Sequence, residues 1–212
     1  MVRVLAVMAS YFIGSFLTAG VIASLKRVDL QKKGSGNPGA TNIYRVFGAF
    51  YGVLTLVGDA AKGIIGTLLG YWAGGHSMAA LCGIAVVIGH NWPLFFNFRG
   101  GKGIAASLGV LIVLMPRALA IIVPIWVLVL AVSGYVSLAS LVAAVSIPFA
   151  SLLFYPKQEL VLLFAIIAPA LAIYRHWSNI QRLISGEEHK FRFKGEGKGK
   201  KILNGEEKEE ES

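Results

Sequence analysis

The sequence predicts an all-α integral membrane protein: a polytopic bundle of about seven transmembrane helices, with the N-terminus outside and the C-terminus cytoplasmic. Three observations lead there. Hydrophobic residues make up 56% of the 212 and charged residues 15%, with a mean hydropathy of +0.68, outside the usual balance of water-soluble domains. Apolar runs at 4–25, 50–72 and 79–98 approach or exceed the ~20 residues that cross a hydrocarbon core. Lys and Arg, finally, gather in particular loops rather than spreading evenly.

The first run carries no small-residue cleavage site before a soluble domain, so it reads as a retained span rather than a signal peptide. Lys26, Arg27, Lys32, Lys33 and Arg45 follow it, opposed only by Asp29, which makes that loop cytoplasmic by the positive-inside rule. The second run returns to Gly74, Gly75 and His76, and the third brings Arg99 and Lys102 back inside. Residues 104–132 hold Met115, Pro116 and Arg117 at their centre. Proline cannot continue the hydrogen-bond ladder, so the segment is expected to split there into two short spans or a re-entrant pair. Each half would be about 18–25 Å long. Runs at 135–154 and 159–174 complete the count and leave Arg175, Arg182, Lys190 and Arg192 inside.

Residues 1–193 read as one membrane unit. Residues 194–212, with five Lys against six Glu and no apolar periodicity, read as a solvated, disordered tail. The single cysteine, Cys82, allows no disulfide within the chain. A net charge of +9 therefore resides in the cytoplasmic loops, where it suits anionic lipid headgroups and an anionic substrate. Nothing in the pattern calls for nucleic acid, a metal or a cofactor.

Three polar segments interrupt the apolar chain: 33–45, 89–103 and 174–190. The first contains Ser35, Gly36, Asn37, Gly39, Thr41 and Asn42, then Arg45 a turn into the following helix. Short side chains and glycines let successive N–H groups converge on an anion, and Thr41 or Asn42 is placed to cap the helix. The competing reading is an ordinary interhelical loop. The second holds His90 and Asn91, then Arg99, Gly100, Gly101, Lys102 and Gly103. It fails the nucleotide P-loop pattern, having Phe96 where a glycine is needed and Gly103 in place of Ser or Thr. Two cations around a flexible backbone before a helix still suit a phosphate, while Trp92, Phe95 and Phe96 fit an interfacial aromatic belt. The third sets His176 and Asn179 at i, i+3, with Arg182 three further on, on one face if the helix continues.

No His is followed by Asp at acyltransferase spacing, and no serine nucleophile elbow or metal-ligand cluster appears. Asp59 and Lys62 lie at i, i+3 inside the second span, as a structural ion pair or as the lining of a polar cavity.

These motifs together are similar to one family. Gly-Ser-Gly-Asn-Pro-Gly-Ala-Thr-Asn at 34–42, Gly-His-x-x-Pro-x-Phe at 89–95 with Arg-Gly-Gly-Lys-Gly at 99–103, and His-x-x-Asn-x-x-Arg at 176–182 resemble the bacterial acyl-phosphate-dependent glycerol-3-phosphate acyltransferases, the PlsY family. The likeness runs to about Lys190 and departs at Ala106 and Ser107, where a Thr is expected, and at Glu188, which follows Gly186-Glu187 where the family has Gly-x-Glu. It implies transfer of a fatty acyl group from acyl phosphate to the 1-hydroxyl of glycerol 3-phosphate, giving lysophosphatidic acid and phosphate at the cytoplasmic face of the bacterial inner membrane. Neither acyl-CoA nor acyl carrier protein would be the direct donor, and no cofactor is implied. With the local chemistry, it assigns catalysis to Ser35, Arg45, His176 and Asn179. Acyl phosphate falls to Ser35, Gly36, Asn37, Gly39, Thr41, Asn42 and Arg45, and glycerol 3-phosphate to His90, Asn91, Arg99, Gly100, Gly101, Lys102 and Gly103. Glu188 is expected to be structural. A carrier or channel for phosphorylated metabolites, or a membrane acyltransferase using another donor, is the alternative.

Overall fold

The computed structural model describes residues 1–191; the expected tail at 194–212 lies outside them. The described chain is helical throughout: α1 (Val2–Ser15), α2 (Thr18–Leu25), α3 (Ala40–Phe47), α4 (Ala49–Asn91), α5 (Ile104–Leu114), α6 (Pro116–Ser133), α7 (Val136–Phe154), α8 (Glu159–Arg175) and α9 (Trp177–Ile184), with no strand among these residues. Four stretches are long and apolar enough to cross a membrane, or five if α8 and α9 are taken as one bent span. Large apolar side chains such as Leu128, Val132 and Phe149 are more than half exposed. That is the surface expected of a protein whose solvent is lipid.

The expected run 4–25 is not one helix. Phe16 and Leu17 adopt extended backbone between α1 and α2, and the Phe16 carbonyl accepts from Lys62 Nζ at 2.9 Å. A backbone break inside a stretch apolar enough to span needs a protein partner for its freed polar groups, and the α4 lysine supplies it. The expected run 79–98 also ends early. α4 stops at Asn91, Pro93 follows, and Leu94–Phe96 form a short 3-10 turn. The chain does break at Met115, with Pro116 opening α6 as its first residue. This is the position where a missing N–H costs nothing.

α4 is bent where Gly74 and Gly75 leave helical geometry, so its two arms pack against different neighbours. Close approach depends on small residues, as is usual between membrane helices. A side-chain carbon on Gly14 would run into the Val86 backbone, one on Gly89 into Tyr11, and one on Gly109 into Ala60. These contacts lock α1 and α5 against α4. The apolar core then extends from the second arm of α4 through α5 and α6 to α7 and α8, around Val110, Leu114, Met115 and Phe164. The three polar segments emerge from this frame together.

Candidate active site

Segment 33–42 braces itself. Asn42 is 2% exposed; its Oδ1 accepts the Ser35 N–H at 2.8 Å and its Nδ2 donates to the Lys33 carbonyl at 3.2 Å. Gly34 has φ +59, and a side-chain carbon there would collide with Asn42 Oδ1, so only glycine fits the turn. The expectation that Thr41 or Asn42 caps the helix is thereby corrected. The N-cap is Gly39 and α3 has no side-chain cap, because the Asn42 amide is committed to the loop before it. Uncapped N–H groups and the positive end of the helix dipole thus face the same place as Ser35.

The second segment is held from outside. Its Gly101 N–H donates to the His90 carbonyl at 3.1 Å. The Arg175 guanidinium donates to the Gly101 carbonyl at 2.9 Å and to the Gly100 carbonyl at 2.6 Å. Carbons added at Gly100 or Gly101 would meet the His90 and Asn91 backbone or the His90 ring, so the turn lies flat against the end of α4. Gly103, at φ 80, is the N-cap of α5, again without a side-chain cap. Lys102 is left reaching inward, donating from Nζ to Asn179 Oδ1. Burial lowers its ammonium to about 8, although Glu188 pulls the other way. Arg99 turns outward and donates to Gln31 Oε1 at 2.8 Å on the exposed surface.

The third segment does not continue as one helix. The chain bends by 59° at His176, between α8 and α9. Asn179 is buried; its Nδ2 donates to Glu188 Oε1 at 2.9 Å, which also accepts from Ser137 Oγ at 3.1 Å. Arg182 Nε donates to Glu188 Oε2 at 2.9 Å. Burial alone would raise the Glu188 carboxyl, but these donors outweigh it and hold the group below its usual range. His176 sits 2.7 Å by Nδ1 from the Ala172 carbonyl. A carbonyl only accepts, so Nδ1 carries the proton and Nε2 is the free nitrogen. Burial, with the nearby Lys102 charge, lowers this imidazole to about 4.

The three segments meet around a polar cavity of about 150 Å³ lined by Ser35, Asn37, Arg45, Lys102, His176 and Asn179, with Gly39, Thr41, Asn42, Asp59, His90, Gly103 and Glu188 completing its wall. Burial lowers the Arg45 guanidinium, opposed by Glu188 and assisted by Arg182. On one side the cavity shares Ser35, Asn37 and Lys102 with a wide polar cleft of about 810 Å³, which adds Gly36, Arg99, Gly100, Arg175 and Arg182. On the other it shares Leu56, Ile104, Ala105, Trp126 and Ser140 with an apolar groove of about 280 Å³ between α5, α6, α7 and α8. A charged head and a long apolar tail, joined at one atom, fit such a junction.

The glycerol-3-phosphate acyltransferase family model matches residues 4–186. The chain belongs to that family. It is 45% identical over 192 residues to the glycerol-3-phosphate acyltransferase of Desulforudis audaxviator, covering 90% of this chain and 96% of the relative. With the Aquifex aeolicus enzyme of the same name it shares 43% over 188 residues, 87% and 97% of the two chains. A crystal structure of PlsY, described as an integral membrane glycerol 3-phosphate acyltransferase in its glycerol 3-phosphate form, superposes with a TM-score of 0.84 at 42% identity, covering 90% of this chain and 96% of that one. A lysophosphatidic acid form superposes at 0.81, with 40% identity and 90% and 95% coverage. This chain is thus a membrane acyltransferase acting on glycerol 3-phosphate.

Of the residues singled out from sequence, Lys62, Asn91 and Gly101 line neither polar space. Asn91 is fully buried and lies beneath Gly103. Arg175 and Gln31 line the wide cleft, and Ser137, Ser140 and Trp126 the inner cavity, yet none was picked out for the site. Arg175 had a signal, as a cation closing α8 just before His176. The others sit in ordinary apolar or loop sequence and are brought in by packing alone.

Proposed function

We propose that the donor is an acyl phosphate, with its phosphate in the polar cavity and its chain in the apolar groove, and that glycerol 3-phosphate enters through the wide cleft. The observation that carries this is the junction at Leu56, Ile104, Ala105, Trp126 and Ser140, where the reacting carbonyl of a mixed anhydride falls between charged and apolar walls. Lysophosphatidic acid, the molecule in one of the similar PlsY structures, has the same head-and-tail form.

In this reading Ser35, Asn37, Gly39, Thr41 and Arg45 hold the donor phosphate, with Gly36 and Asn42 shaping their loop. Lys102, Arg99, Gly100 and Gly103 hold the phosphate of glycerol 3-phosphate, with His90, Asn91 and Gly101 behind them. His176 and Asn179 orient the reacting groups, and Glu188 fixes Asn179. The 1-hydroxyl oxygen attacks the acyl carbonyl, the carbon–oxygen bond to phosphate breaks, and inorganic phosphate leaves. A nitrogen lowered to about 4 accepts a proton poorly at neutral pH, whereas the donor phosphate gains basicity as its bond to the acyl carbon breaks. The donor phosphate therefore takes the hydroxyl proton. Positioning and positive charge supply the catalysis, since the anhydride already has a good leaving group.

The same reading places the site on the cytoplasmic face of the bacterial inner membrane. Both arms of α4 cross, α1 with α2 counts as one span, and α5 to α8 add four, for about seven crossings with the N-terminus outside. α5, at 11 residues, spans only about 16 Å, and it follows directly on the turn that holds Lys102. Purified protein supplied with glycerol 3-phosphate and either palmitoyl phosphate or palmitoyl-CoA tests the donor. Lysophosphatidate is expected with the phosphate alone, and formation only with the CoA ester rejects the assignment. Labelling of single cysteines near Asn179 by an impermeant reagent from the outer face would reject the topology.

A further inference from the structure

A buried ion pair lies at the edge of the polar cavity, to whose wall it contributes Asp59, and the chemistry above gives it no role. Asp59 and Lys62 are 1% and 5% exposed, deep in the first arm of α4, with their charged atoms 3.1 Å apart. Each also grips the break between α1 and α2. Thr18 Oγ donates to Asp59 Oδ1 at 3.3 Å, and Lys62 donates to the Phe16 carbonyl at 2.9 Å. Charges this deep are costly to hold, and a pair of apolar side chains would often serve stability as well. Their retention calls for another task.

The task is visible on the far side of the carboxylate. His90, 3% exposed, presents Nδ1 at 3.8 Å from the same Asp59 Oδ1, and this nitrogen has no hydrogen-bond partner among the described residues. The other edge of the ring carries Nε2, and a single carbon added to Gly101 would strike it. The His90 carbonyl accepts the Gly101 N–H at 3.1 Å. The ring is thus a wedge between a fixed carboxylate and the turn that ends in Lys102.

We infer that Asp59, anchored by Lys62 and acting through His90, is a positioning residue that sets the turn at 100–102 and so the placement of the Lys102 ammonium in the polar cavity. This rests on the reading of Lys102 as a ligand of glycerol 3-phosphate. The carboxylate charge, 3.8 Å from Nδ1, favours the tautomer that carries its proton there and so biases the orientation of the ring without a direct hydrogen bond. The ring edge then supports Gly101, while Arg175 clamps the same turn from the opposite side. Misplacement of a binding group by about 1 Å costs up to ~10²-fold in rate, so a small slack in the wedge is measurable.

The test is a kinetic cycle in the full-length protein in detergent, using glycerol 3-phosphate and palmitoyl phosphate, with Tm followed for every variant. Asp59→Asn keeps the shape and removes the charge. It is expected to raise the KM for glycerol 3-phosphate or lower kcat/KM by roughly 10–100-fold per folded molecule, with the KM for palmitoyl phosphate little changed. Gly101→Ala pushes the same ring from the other side. Because both act on one turn, the double variant is expected to lose much less than the product of the two single losses. Should Asp59→Asn fold poorly, Asp59→Leu/Lys62→Met replaces the pair by apolar groups of similar size and takes its place in the cycle. Wild-type kinetics per folded molecule in the charge-free protein, or losses that simply multiply with Gly101→Ala, would overturn the proposal. Failure of the reading beneath it is separate: Lys102→Ala would then leave the glycerol 3-phosphate kinetics intact.

Discussion

The two glycine-rich turns end alike and are held differently. Both lead through a glycine N-cap into a helix without a side-chain cap, α3 after Gly39 and α5 after Gly103, and both point those helix ends at one cavity. The first turn is closed by a residue of its own, Asn42, reaching back to Lys33 and Ser35. The second is closed by residues distant in sequence, with Arg175 from α8 on two carbonyls and the His90 carbonyl on the Gly101 N–H. A turn braced within ten residues forms with its own helix. A turn clamped from α8 reaches its geometry only when α4, α5 and α8 have packed. One turn is therefore local, and the other reports on the whole bundle.

The sharpest way to break that contrast is Arg175→Ala. Two hydrogen bonds from a charged donor disappear, each worth about 1.5–3 kcal/mol, and the turn at 100–102 loses its clamp. kcat/KM for glycerol 3-phosphate is expected to fall by ~10²-fold or more, with a smaller effect on the KM for acyl phosphate. Equal losses for both substrates would mean that the two turns are not independent.

The pH profile gives the next largest effect. Lys102 is lowered to about 8 by burial, so in the free enzyme its charge is lost above that pH. kcat/KM is expected to fall about tenfold per pH unit on the alkaline side, and this limb should move upward in Lys102→Arg. Stability follows the opposite sign. Between about 8 and the ordinary lysine value the unfolded chain binds more protons than the folded one, so folding by this group grows more favourable as pH rises. Thermal melts of wild type and Lys102→Met across that window separate the two effects; an unchanged alkaline limb in Lys102→Arg removes Lys102 from the substrate site.

Asn42→Ala addresses the self-braced turn. It removes one acceptor and one donor at a buried position, a loss of about 1–3 kcal/mol. Because the damage stays local, the KM for acyl phosphate should rise by roughly tenfold while glycerol 3-phosphate binding is nearly unchanged, as steady-state kinetics with each substrate varied will show. The smallest effect is expected on the acidic limb in His176→Ala. His176 is already neutral above about 4, so this limb reports ionisation of the substrate phosphates and should persist while kcat drops. Its disappearance would identify His176 as the base.

Much of this was legible in sequence because each turn carries its own chemistry. Glycines with Asn and Lys at 33–42, and with Arg and Lys at 99–103, mark turns whose backbone N–H groups can converge. Pro116 marks the start of a helix and the Gly74–Gly75 pair a bend within one, by covalent geometry. Other features were not legible. Asn42 looked like a helix cap, and only the closed turn shows it turned backward. The run at 4–25 looked continuous, since nothing in Phe16 or Leu17 forbids helix; the break is sustained by Lys62 and Asp59, more than 40 residues away.

The apolar composition, the all-helical character and the glycine-rich polar turns were thus determined by the sequence itself, because lipid solvation, backbone freedom and side-chain charge act residue by residue. The tertiary structure alone decided that Trp126 and Ser140 join a polar cavity to an apolar groove. It alone decided that Arg175 clamps one turn, and that Glu188 gathers Ser137, Asn179 and Arg182. These are contacts between helices, and in a membrane they are set by how closely small residues let the helices approach, a property of pairs of surfaces that no single stretch of chain contains.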